Sequence, residues 1–512
     1  MTTPPPDEPE RGEPERGHDF DPVMPGPEIL SRYGARLLDP ATAKLFEGQR
    51  IRPTVYLADR LLVTAEPPKN WNRPREQWRA AVVGWISAAA CNAGLDIAVD
   101  DQDGPVTCFT VRLVPERGGD AVTVDAWTVL QRARRLAGLD LGPDAPGYPM
   151  LPGVELDHLM SIQPYRPAPY DSPHPYDSPH PYGASPYADL AYSGPRPIAL
   201  VMELPEMGAA VPEAEPPTRC APVVAVIDTG CGDHPWLTKV RFTPLQKWPP
   251  SAAVPSREYL GAVNRPLDGL RDPLAGHGTF ICGLVRQVCP DADIIAIPVI
   301  EPDGTIPQSN LVAAIDQITA MVQAGDPVDV VSVSMGHYHE EPADVADTAA
   351  LYTSLQALTQ LGVVVVMSAG NDCTARESYP AALAEEGKYT WNVAPVVSVG
   401  ALNPDGATVA MFSNTGTWVT AWEAGAALVS TMPEDFQFSL QAIARTRDVL
   451  ADRDRASVDP DDFSSGFAIA SGTSFATPVV AGKIARRLAA LGALDLTQTE
   501  LRREAVRQVI AR

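Results

Sequence analysis

The sequence predicts an α/β fold for its larger, C-terminal part, with a mostly parallel sheet covered by helices on both faces. Two observations carry this expectation. First, short apolar runs at Val223–Ile227, Ile294–Pro298, Val328–Val333, Val363–Met367 and Val396–Val399 are separated by helix-length segments. Runs that stay apolar at successive positions suit strands buried on both faces. Second, three of these runs end in small and polar residues, at Asp228-Thr229-Gly230, Ser334-Met335-Gly336 and Ser368-Ala369-Gly370-Asn371. Ligand sites in such sheets lie at the strands' carboxyl ends.

Along the chain, residues 1–45 are rich in proline and charge and are expected to be largely disordered. Residues 46–163 follow a different pattern. Val55–Thr64 reads as a strand, and Arg75–Ala93 as a helix with Trp78, Val82, Trp85, Ile86 and Ala89 near helical spacing. Thr107–Val114 reads as a strand, Ala126–Ala137 as a helix and Val154–Met160 as a closing strand, which makes a small α+β domain. Residues 164–197 carry Pro-Tyr-Asp-Ser-Pro-His twice in tandem, at Pro169–His174 and Pro175–His180. Such proline density favours an extended, semi-rigid linker that cannot pack a core. Residues 198–512 form the α/β domain, within which 432–466 reads as an insertion with helical character over Leu440–Asp454.

Ser471-Gly472-Thr473-Ser474-Phe475-Ala476-Thr477-Pro478 opens an alanine- and valine-rich helix. A serine at a helix start meets free N–H groups and the positive end of the dipole, both favourable to developing negative charge. Serine alone is a poor nucleophile and needs a base oriented by a third group. Gly276-His277-Gly278-Thr279-Phe280 supplies a histidine before an apolar run, and Asp228 an acid at the end of a strand. The order Asp, His, Ser is that of subtilisin.

On these motifs the chain from 198 onward resembles the subtilisin-like (subtilase) serine proteases, and its fold is then expected to be subtilisin-like. The resemblance implies a serine endopeptidase with Asp228, His277 and Ser474 as its triad, and with Asn371 donating a side-chain N–H to the oxyanion. It makes Ser334, Met335 and Gly336 the segment that pairs with an extended substrate and walls the first specificity pocket. Ser378 then lies near the bottom of that pocket, and the small residues Ser368, Ala369 and Gly370 let the backbone approach the ligand. Phe280 and Asp372-Cys373 depart from the commonest family pattern, which leaves specificity open. The 46–163 pattern resembles the ferredoxin-like prodomains of subtilases, which chaperone and inhibit the protease that follows; an unrelated partner-binding domain is the other reading. A non-catalytic scaffold with a subtilase fold is the rival for the whole chain, and the set Asp228, His277, Asn371 and Ser474 weighs against it. His337 and His339 read as solvated loop residues.

Across 512 residues the formal net charge is -24, which argues against nucleic-acid binding and docking on anionic membranes. The expected partners are a peptide or protein substrate and the chain's own N-terminal domain as an intramolecular inhibitor. Met1–Glu8 lacks the basic start and apolar core of a signal peptide, so a cytoplasmic location is expected. The seven cysteines show no metal-ligand spacing. Cys282 reads as a small helix-packing residue. The chemistry requires no cofactor, and no loop demands the structural calcium that family members often carry.

Overall fold

Two sheets organise the chain, one in each half. The computed structural model describes residues 24–43, 51–100, 107–116, 122–141, 151–162, 196–197, 221–245, 258, 274–300, 304–341, 349–436, 445–448, 453–456 and 463–511, except 68–70, 72, 152, 435 and 464. The predicted linker at 164–197 therefore lies almost wholly outside the described residues.

The N-terminal half holds strands β1 (Ala35–Leu38), β2 (Thr54–Thr64), β3 (Leu95–Asp100), β4 (Cys108–Pro115) and β5 (Val154–Ser161). Its helices are α1 (Pro27–Tyr33), α2 (Gln77–Cys91) and α3 (Ala126–Leu141). The strands pair antiparallel in the order β5-β2-β4-β3, with β1 beside the start of β2. This is the split βαββαβ order of a ferredoxin-like domain. Pleating decides what each side chain meets. Leu61 and Val63 of β2 pack against Trp78, Val82 and Ile86 of α2 and Trp127 and Leu130 of α3, whereas Leu62 between them joins the core of the C-terminal half.

One sequence expectation needs correcting here. Strand β3 was missing from the predicted pattern, because only Leu95 of its residues is buried and the apolar signal of a half-covered edge is weak. Of residues 1–45, expected to be largely disordered, 1–23 and 44–45 lie outside the described residues. Helix α1 and strand β1 form within the rest, since Ile29, Leu30, Tyr33 and Ala35 pack against Val55, Leu57 and Leu159.

In the C-terminal half, β6 (Val223–Asp228), β7 (Val240–Phe242), β8 (Asp293–Pro298), β9 (Thr305–Pro307), β10 (Val330–Val333), β11 (Val364–Ser368), β12 (Val396–Leu402) and β13 (Ala421–Ala424) alternate with helices. All but β9 form one sheet in the order β13-β12-β11-β10-β6-β8-β7, and every pair in it is parallel. Val224 and Val226 of β6 face α4 (His277–Val288) and the later helix that carries Ser474, while Ala225 and Ile227 face α5 (Gln308–Gln323) and α6 (Ala350–Gln360). This is the predicted α/β sheet buried on both faces. Cys282 packs inside α4 with no exposure. The helical character read into Leu440–Asp454 is overturned: Arg445–Asp448 and Arg453–Ala456 pair as antiparallel strands. Their bonds run between separate segments, which helix propensity does not register. Among the described residues no helix is long and apolar enough to cross a membrane.

The two halves share backbone bonds. Strand β9 adds to the N-terminal sheet by pairing antiparallel with β5, Thr305 opposite Ser161 and Pro307 opposite Leu159. Ser161 also exchanges two bonds with Gly336, N–H to O at 2.9 Å and 3.0 Å. Carboxylates of β5 cap helices of the other half: Asp157 accepts from Ser309 N (3.0 Å) at the start of α5, and Glu155 from Ala350 N (3.0 Å) at the start of α6. Negative groups at helix N-termini are favourable. The buried Arg134 meets Glu341 at 2.7 Å across the same interface.

A buried charge also fastens the C-terminus. Arg502, on α8 (Thr499–Ile510) after α7 (Thr473–Ala490), has no exposed surface. Its guanidinium donates to the carbonyls of Gly362 (2.8 Å), Ala493 (2.7 Å) and Asp329 (2.9 Å), and meets Asp329 Oδ1 at 3.2 Å. Asp329 in turn accepts from Val223 N at 2.8 Å, at the start of the central strand. Removing one member strands the others in a dry site. Arg502→Ala is expected to lower unfolding free energy by about 3–5 kcal/mol, read as a shifted denaturant midpoint.

Candidate active site

Asp228 is the last residue of β6, and its side chain is fully buried. Its Oδ1 accepts from Thr229 N at 2.8 Å and meets His277 Nδ1 at 2.7 Å. A carboxylate in that position fixes the proton on Nδ1, so Nε2 carries the lone pair. His277 is the first residue of α4, entered through Gly276 at φ 86°, a conformation that favours glycine. Gly278 has a steric reason: a Cβ there would lie 2.2 Å from the Gly230 carbonyl oxygen. The turn after Asp228 and the start of α4 therefore touch backbone to backbone.

Ser474 is the second residue of α7. Asn371 follows β11, and its Oδ1 accepts from Thr473 N (2.8 Å) and Thr473 Oγ1 (2.9 Å). That pair turns the Asn371 amide so that Nδ2 is the free end. Asn371 Nδ2, His277 Nε2, Ser474 Oγ and Asp228 Oδ2 are all buried without a hydrogen-bond partner. A buried polar atom without a partner calls for an explanation, a catalytic role among them. The Phe475 ring lies 5.0 Å from the imidazole, centre to centre.

The other predicted residues take up positions around this centre. Ser334 donates to the Ser474 carbonyl at 3.1 Å. Gly336, Ser368, Gly370, Asn371 and Ser378 line one cleft, into which Ser161 and Ile162 of the N-terminal half also project. A Cβ on Gly336 would come within 2.6 Å of Ser378 Oγ. Met335 and Ala369 are buried in the core instead. His337 and His339 are not solvated. His337 is 5% exposed, and both rings pack close to His158 of β5. The N-terminal half covers them, a contact no local pattern encodes.

Sequence reasoning missed three contributors. Asn414 accepts from Asp372 N (2.9 Å) and Thr374 N (3.2 Å), and donates to the Ala369 carbonyl (2.9 Å) and Tyr338 hydroxyl (2.9 Å), which shapes the loop after Asn371. Thr473 orients the Asn371 amide, a role its place in Gly-Thr-Ser hinted at only through the motif. Glu258 is buried and accepts from Gly276 N (2.9 Å) and Thr279 N (3.2 Å), and from the hydroxyls of Thr229 and Thr279. Burial pushes its carboxyl up, against the pull of the Thr229 and Thr279 hydroxyls. It knits the turn bearing Asp228 to the turn bearing His277, and no sequence motif marks it.

The subtilase family model (Peptidase_S8) matches residues 220–512, more than half of the chain, and the chain belongs to that family. It is 28% identical over 310 residues to an "Intracellular serine protease" of Paenibacillus polymyxa, covering 56% of this chain and 73% of that protein. It is 27% identical over 230 residues to "Subtilisin-like protease PopC" of Myxococcus xanthus, covering 41% of this chain and 44% of that protein. Among solved structures, fervidolysin from Fervidobacterium pennivorans aligns with a TM-score of 0.47 at 18% identity, over 88% of this chain and 56% of that one. The protein is thus a serine endopeptidase, and its substrate is a peptide or protein.

The Glu258 network makes a measurable claim. Glu258→Leu is expected to lower kcat on peptides about 10²-fold, the size of effect that a small misplacement of catalytic groups produces, with KM changed far less. Glu258→Gln keeps one accepting oxygen and is expected to fall between. Steady-state hydrolysis by the folded variants decides, and an unchanged kcat in the leucine variant would reduce Glu258 to filler.

Proposed function

We propose that Ser474 attacks the scissile carbonyl while His277 Nε2 takes its proton, with Asp228 holding the imidazole and stabilising the imidazolium. Asn371 Nδ2 and backbone N–H groups at the start of α7 receive the oxyanion. His277 then returns the proton to the leaving amine, and water repeats the sequence on the acyl-enzyme. The observation that carries this reading is the set of buried, unpartnered reactive atoms beside the Asp228–His277 bond. The proposed steps need no metal or cofactor.

The N-terminal half is the enzyme's own inhibitor in this reading. Strand addition is how extended peptides bind at a sheet edge. Support comes from Ser161, whose backbone pairs with Gly336 at 2.9 Å and 3.0 Å, and from Ile162 N, which donates to the Gly304 carbonyl at 3.1 Å. Ser161 thus occupies the Gly336 backbone groups that an extended substrate would use. Restricted, intracellular proteolysis fits this arrangement and the name of the Paenibacillus relative.

Ser474→Ala is expected to abolish peptide hydrolysis, by about 10⁶-fold if the group counts as it does in subtilisin, with the fold intact. Asn371→Ala is expected to lower kcat about 10²–10³-fold, the cost of one such donor in subtilisin, with KM nearly unchanged. An effect confined to KM would make Asn371 a turn residue only. Cutting the chain between Pro164 and Pro197 is expected to raise peptidase activity at least about tenfold on dilution, since the tether holds the inhibitor at millimolar effective concentration. Equal activity before and after the cut would show that the N-terminal half does not inhibit.

A further inference from the structure

Beside the cleft, the interface between the halves gathers another set of ligand-type side chains. His158 of β5 meets His337, His339 and Glu340 from the segment that follows Gly336. Its Nδ1 lies 2.8 Å from Gln308 Oε1. Gln308 is oriented by Glu155, which accepts from Gln308 Nε2 at 2.8 Å, so the amide oxygen faces the imidazole. His158 Nδ1 is therefore an N–H nitrogen, and Nε2 points at Glu340 Oε2, 2.7 Å away. His339 Nδ1 is 3.6 Å from the same oxygen. One ligand atom from each of the three residues falls within 4.8 Å of the others. The His158 and Glu340 side chains have no exposure and that of His339 has 12%. Glu340 Oε1 and His339 Nε2 are buried there without a hydrogen-bond partner.

We propose that His158, His339 and Glu340 bind a divalent ion of the zinc class, which clips the N-terminal half onto the catalytic half. Two imidazoles and a carboxylate are donors that zinc takes in tetrahedral sites, with a fourth position left to water. Magnesium and calcium demand more oxygens than the cluster offers. At bond lengths of about 2.1 Å, neighbouring ligand atoms in a tetrahedron lie roughly 3.4 Å apart. The observed separations of 2.7 and 3.6 Å bracket that value, and binding through His339 Nδ1 exchanges the Glu341 N–H that it accepts at 3.2 Å for the ion. The Glu155–Gln308–His158 chain supplies the support that metal-bound histidines ordinarily have: the nitrogen turned away from the ion donates to a fixed oxygen. On binding, the ion replaces the proton that Nε2 shares with Glu340, and that proton leaves to solvent.

His158 comes from one half and the other two ligands from the other half, so only the docked arrangement completes the site. Free ion at a hundred times its dissociation constant shifts docking about a hundredfold. The clip does not depend on Ser474 chemistry, and its test can use an inactive chain.

The experiment titrates metal-stripped, full-length Ser474→Ala with zinc by calorimetry and with cobalt by visible absorption. One ion per chain is expected, with about one proton released and a tetrahedral cobalt spectrum. His158→Gln and His339→Asn are each expected to weaken binding by at least about tenfold, whereas His277→Ala leaves it unchanged. Glu340→Gln serves if a histidine variant misfolds, and its folded chain is expected to lose the site as well. Zinc is also expected to slow release of the N-terminal half after the linker is cut. No stoichiometric binding would overturn the proposal. So would binding that survives His158→Gln, His339→Asn and Glu340→Gln, or that vanishes with His277→Ala, because the ion would then sit on His277 or on the other histidines.

Discussion

Strands that all run the same way deliver all their carboxyl ends to one edge, and the chemistry of this molecule hangs on that constraint. Asp228 closes β6, Ser334 follows β10 and Asn371 follows β11. Helices that return the chain begin near the same edge, and two of them start with His277 and with Thr473-Ser474. A parallel sheet must be buried on both faces, which is why Val224 and Val226 serve one core and Ala225 and Ile227 the other. The sheet thereby holds the Asp228–His277 contact at 2.7 Å with both side chains out of water. Glu258 and Asn414 fix the loops that the sheet alone leaves free.

The N-terminal half uses the same edge from outside. Its sheet accepts β9 as a sixth strand, and its last strand reaches Gly336 with paired backbone bonds. Backbone pairing asks little of side-chain identity, so it gives affinity without specificity. Specificity of docking rests on groups around it: Asp157 and Glu155 at two helix starts, Arg134 with Glu341, and Thr107 donating to Asp316 at 2.9 Å. These polar pairs are covered in the docked state and each leaves a partner stranded if the halves separate without water replacing it.

Much of this was legible in the sequence for physical reasons. Apolar runs announced β6, β8, β10, β11 and β12, because strands buried on both faces need them. Glycine-flanked Asp228, His277 and Ser474 stood out because close backbone contact, as between Gly278 and Gly230, tolerates no side chain. What stayed hidden was long-range. Leu95–Asp100 presents only one buried side chain, and α1 and β1 are held by Val55 and Leu57 rather than by their own composition. His337 and His339 looked like loop residues until β5 covered them. Glu258 acts through hydroxyls and amides that are adjacent in space alone.

We propose that Ser474 is a competent nucleophile in a cleft that the chain's own N-terminal half fills. Labelling by an active-site fluorophosphonate tests both parts in one measurement, on full-length protein before and after the linker is cut and the halves are diluted apart. A single labelled residue is expected, Ser474, labelled slowly in the intact chain and quickly after separation. Absence of label on Ser474 in the separated protein, or equal rates before and after cutting, would contradict it.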